Sequence, residues 1–132
     1  MMKCNVGKLI LSSLLILLPI PLGLIFWDRL PEFMNVHWGL DGAADGFASR
    51  PIAVFLIPLL LLAIHLLCLF FTFRDRKNDN QSKKVFGLIW WIIPVVSLFC
   101  WGTMAMAVLD KPMDARMYTF LLLGILFVIF GN

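Results

Sequence analysis

The side chains with the widest chemical range fall in one stretch, Leu30 to Arg50, which reads L-P-E-F-M-N-V-H-W-G-L-D-G-A-A-D-G-F-A-S-R. Histidine is the side chain type that titrates nearest neutral pH, and a carboxylate can orient it or share a cation with it. His37, Asp41 and Asp45 therefore form a candidate ligand-binding or proton-handling cluster. A lone His with two Asp lacks the H-x-x-x-H or H-E-x-x-H spacing that fixes a metal, so no metal and no other cofactor is expected. The same residues have a structural alternative. The D-G pairs at 41–42 and 45–46 favour tight turns, with Asp45 bonding neighbouring backbone amides and Trp38 and Phe47 lying on a membrane surface. His65 is a second candidate, because it lies inside an apolar run, where an ionisable group is costly and faces a bundle interior or an aqueous pocket. It is either a proton-linked or ligand-contact position, or a histidine hydrogen-bonded to a backbone carbonyl or to Ser97 or Thr103. No Gly-rich phosphate loop, Ser-His-Asp arrangement or pair of catalytic carboxylates can be assembled, and an enzyme is not expected.

The elements that must position these residues are set by hydropathy. Of 132 residues, 61% are hydrophobic and 14% charged, well under the roughly one quarter charged in soluble domains. The apolar residues also come in long unbroken runs, so the bilayer must be the solvent. The reading is an all-α integral membrane bundle with three complete transmembrane helices and a short or truncated fourth. An N-terminal membrane domain, 1–73, comprises a helix at 9–27, an outer loop at 28–50 with one short helical turn, and a helix at 52–73. A charged linker follows at 74–84. The remainder, 85–132, holds a helix at 85–109, an outer turn at 110–116 and a helix at 117–131.

Pro19 and Pro21 should kink or loosen the first helix, because each removes a backbone donor. In the second, sixteen Val, Ile, Leu and Phe residues at about −0.4 kcal/mol each favour insertion by roughly 6 kcal/mol, which one histidine does not overturn. Gly102 and Ala105 could permit a close helix contact in the third. The fourth run is shorter than the roughly twenty residues a span needs, so either it stops short of the far interface or the chain is a piece of a longer protein.

Net charge is +3, and the basic residues gather at Arg74, Arg76, Lys77, Lys83 and Lys84 rather than on a phosphate-binding face. No direct nucleic-acid partner is expected. By the positive-inside tendency the 74–84 linker and the N-terminus are cytoplasmic and loop 28–50 is outside. Trp27, Trp38 and Tyr118 are candidate interfacial anchors on the outer side, with Trp90 and Trp91 on the inner.

The ordered series Leu30, Pro31, His37, Trp38, Gly42, Asp45, Gly46, Phe47, Ser49 and Arg50 resembles the signature of a bacterial membrane domain of unknown function. That domain commonly forms the N-terminal part of proteins similar to SdpI, an immunity protein against a secreted toxin. Asn35 stands where many members have proline, and Leu121 to Asn132 resembles the start of the SdpI-type domain. The resemblance implies a bacterial cytoplasmic-membrane protein that binds rather than catalyses. Its implied partners are a secreted peptide or protein toxin and a cytoplasmic repressor, and the site would use His37, Trp38, Gly42, Asp45, Gly46, Phe47, Ser49 and Arg50 of the series. Two rivals come from the residues themselves: a membrane enzyme or transporter using His37, Asp45 and His65, and a scaffolding subunit of a membrane complex.

Overall fold

The computed structural model describes residues 5–74, 83–111 and 114–130. Most of the 74–84 linker lies outside the described residues.

The first span is two helices in series. Asn5 caps α1 (Val6–Leu17) by accepting a hydrogen bond from the Lys8 amide at 3.0 Å. The backbone hydrogen bonding lapses at Leu18, whose dihedrals stay in the right-handed helical region, and α2 (Pro19–Ile25) starts with proline at its first position. Pro19 and Pro21 have no N–H to offer the carbonyls four residues earlier, and the break falls where those bonds would form.

After a 3-10 turn at Trp27–Arg29, the expected loop is instead a β-hairpin. Strands β1 (Phe33–Trp38) and β2 (Ala44–Ser49) pair antiparallel, Phe33 opposite Ser49. The alternation is present in the sequence: Met34, Val36 and Trp38 turn inward while Phe33, Asn35 and His37 turn outward. An aromatic on the outward face and two register shifts hide that period from a sequence reading. The fold is therefore helical apart from one small two-stranded sheet.

The second span opens with a π-turn, Ile52–Leu56, and continues as α3 (Ile57–Arg74). Pro58 explains the wide turn. In an α-helix its ring would collide with the Val54 carbonyl; the Ile57 amide instead bonds five residues back, to Ile52. Helix α4 (Lys83–Val108) carries Pro94 inside it. It ends in a Schellman motif: the Lys111 amide bonds the Met106 carbonyl, the Asp110 amide bonds Ala107, and Asp110 takes φ 52°. Asp114 caps α5 (Ala115–Phe130) by accepting from the amides of Arg116 and Met117.

Three spans, Val6–Ile25, Ile52–Arg74 and Gly87–Val108, are long and apolar enough to cross a membrane, and Arg116–Val128 is a shorter apolar helix. Even in the best-covered span only 28% of an 18-residue apolar stretch is buried in protein, so the rest of its surface needs hydrocarbon around it. Helices α1, α3 and α4 pack on one another, and α5 touches α4. Trp90, expected as an interfacial anchor, is instead buried between His65 and Phe73. Gly102 makes no close helix contact among the described residues: none of them lies within 4 Å of where its Cβ would stand.

Candidate functional site

The base of the hairpin is fastened to the bundle. Leu30 and Met34 enter a core with Ala53, Val54 and Met104. An isolated two-stranded hairpin is marginal in water, and burying these two side chains contributes about 2 kcal/mol each. Arg50 closes the base. Its Nε–H donates to the Pro31 carbonyl at 3.2 Å, its amide donates to the Glu32 carbonyl, and its guanidinium lies over Trp27 at 5.2 Å. Trp27 in turn stacks on Phe55 of the π-turn. Along the inner face Trp38 meets Phe99 of α4 edge to face, 6.2 Å between centroids.

The turn follows from its residues. The Gly42 amide donates to the Gly39 carbonyl, Gly42 takes φ 82°, and the Asp41 carboxylate accepts from the Ala43 amide at 3.1 Å. This is a tight turn closed by a left-handed glycine and an Asx bond. Asp41 is thus spent on the turn, and Leu40 at its tip is fully exposed.

His37 sits between the two register shifts, opposite Gly46. Bulges re-aim side chains, and here they bring Asp45 to the outward face beside His37. The His37 Nδ1–H donates to the Asp45 carboxylate at 2.5 Å. Of the two readings of Asp45, a bond to backbone amides and a place in a cluster with His37, the bond seen is the one to the imidazole. Both side chains are exposed, His37 at 72% and Asp45 at 53%, so solvent screens their attraction. Phe33 and Phe47 are exposed on the same face. Of the sequence-predicted cluster, His37 and Asp45 come together while Asp41 stays in the turn. Ser49 lies in register with Phe33, and Gly46 supplies the room His37 needs. Among the described residues no three His, Cys, Asp or Glu side chains converge as a metal site would require.

His65 is elsewhere, fully buried between the helices. Ser12 donates to the Leu9 carbonyl at 3.1 Å, so its single hydroxyl proton is used and the His65 Nε2–H must donate to Ser12, at 2.9 Å. Among the described residues the Nδ1 atom has no hydrogen-bond partner. The expected partners do otherwise: Ser97 donates to the Ile16 carbonyl at 2.8 Å, and Thr103 to Cys100. Replacing Ser12 by alanine strips His65 of its one bond and should cost about 1 kcal/mol in detergent unfolding. Adding His65→Leu should restore that loss, because no polar atom then remains unmatched. A double variant no more stable than Ser12→Ala would refute the pairing.

The fold and site define a multi-pass membrane protein that holds a β-hairpin against one end of its helices. Residues 14–62 match the family model of a domain of unknown function, DUF1648. The matched segment runs from α1 through the hairpin into α3 and covers less than half of the chain, which is similar to that family over this stretch. No curated protein and no solved structure matches the chain.

Proposed function

We propose that the chain is a bacterial cytoplasmic-membrane protein of the SdpI type, which confers immunity by binding a secreted peptide or protein toxin on its hairpin. The observation that carries this reading is the outward face of the hairpin. Phe33, Asn35, His37, Asp45 and Phe47 are all exposed there, while the opposite face is anchored in the bundle. Exposed aromatics beside polar groups on a fixed element suit protein recognition. Each strand is paired on one side only, so an extended peptide could add to the sheet through its backbone. The immunity role itself rests on the resemblance of the motif. The hairpin would face outward and the basic 74–84 segment inward, where it could contact a repressor.

The test is survival of a toxin-sensitive host expressing the full-length protein. His37→Ala with Phe47→Ala should lower the tolerated toxin dose by roughly tenfold, the loss of one hot spot, at unchanged membrane abundance. If cells carrying the unaltered protein die as readily as those without it across a toxin panel, immunity is refuted. Asp45→Asn separates the proton-handling rival: it leaves the aromatic face intact and should preserve protection, whereas a proton relay would fail. In a cysteine-free background, an impermeant reagent should label Ala43→Cys but not Asp79→Cys on intact cells; the reverse pattern inverts the topology.

A further inference from the structure

Three adjoining hollows run along one flank of the bundle at the hairpin end. The first, about 220 Å³, lies between α2 and α4 and is walled by Leu22, Phe26, Trp101, Met104 and Val108. Arg29 lines it, and lines as well a second hollow of about 640 Å³ with Pro31, Asp110 and Lys111. Lys111 then lines a third, about 180 Å³, beneath β1 with Asn35, Trp38 and Thr103. Shared residues make these one groove, apolar along the spans and cationic where it leaves them.

The fold sets the backbone that carries the two cations, whose side chains are exposed. Arg29 is in the 3-10 turn, and Lys111 is the last residue of the Schellman motif that ends α4, where its amide bonds the Met106 carbonyl. Neither forms an ion pair among the described residues, although Asp28 and Asp110 adjoin them in sequence. Asp110 also lines the groove, so two cations face one carboxylate. A slot open to the bilayer fills with hydrocarbon, and unpaired cations at its mouth then select the headgroup by charge.

We propose that this groove binds an anionic phospholipid, with an acyl chain between α2 and α4 and the phosphate between Arg29 and Lys111. Basic residues near a membrane surface each favour anionic lipid modestly, so the net preference over a zwitterionic lipid should be about five- to tenfold.

Trp101 in the slot reports occupancy. The full chain in phosphatidylcholine nanodiscs, doped at equal mole fraction with tail-brominated phosphatidylglycerol or tail-brominated phosphatidylcholine, should show stronger tryptophan quenching by the former. The excess should vanish in Trp101→Phe and in Arg29→Gln/Lys111→Gln, persist in Arg29→Lys/Lys111→Arg, and decline with salt. Equal quenching by the two lipids overturns the proposal. So does an excess that survives Arg29→Gln/Lys111→Gln, which would place the lipid elsewhere. If inorganic phosphate abolishes the excess at millimolar concentration, the site is a free-anion site and the lipid assignment fails.

Discussion

Gly23→Leu should destabilise the protein by about 3 kcal/mol in detergent unfolding, at the upper end of the usual cost of overpacking. Gly23 is buried in α2 against the π-turn, and a Cβ there would stand 2.6 Å from one Val54 methyl and 2.9 Å from the other. Val54 is itself fully buried and cannot swing away. Local preference acts in the opposite direction, since leucine is favoured over glycine in a helix by roughly 0.8 kcal/mol. A loss therefore reports the tertiary contact and not the helix. Combining Gly23→Leu with Val54→Ala should recover part of the stability, because the added side chain gains the volume the methyls leave. A Gly23→Leu variant as stable as the parent would mean that α2 does not sit on the π-turn.

Gly46→Val should open the hairpin, at a cost of about 2 kcal/mol. A Cβ at 46 would lie 2.6 Å from the His37 Cβ, an atom fixed to the backbone that no rotamer change can move. Valine is otherwise much better suited to a strand than glycine, on a scale spanning about 1 kcal/mol, so here too propensity and packing predict opposite signs. Limited proteolysis and amide exchange should show faster opening of residues 33–49, and the His37–Asp45 bond should be lost with it. The helices should stay folded, since their packing does not pass through Gly46. Unchanged exchange in the hairpin would overturn the register that places Gly46 opposite His37.

Much of this was legible in the residues. The spans are apolar over their full length, and insertion depends on the local sum of transfer free energies, so their existence and approximate ends could be read directly. The motif around His37 and Asp45 stood out because Gly, Asp and His cluster where little else is polar. The strands were hidden. Phe33 and Phe47 put large apolar groups on the solvent side, and the register shifts around His37 break the two-residue period on which strand recognition relies. The chemical partners were hidden as well. Ser12 lies 53 positions from His65, and helices apolar all round carry no mark of which face meets which neighbour.

By itself, then, the sequence determined that this chain enters a bilayer, that proline interrupts its first span, and which short segment carries its chemistry. Only the tertiary structure decided that the segment is a hairpin clamped by Leu30, Met34 and Arg50, that Asp45 rather than Asp41 meets His37, and that His65 bonds Ser12. Hydropathy and missing amide hydrogens act within a few residues, whereas strand register and helix rotation come from packing between distant parts of the chain.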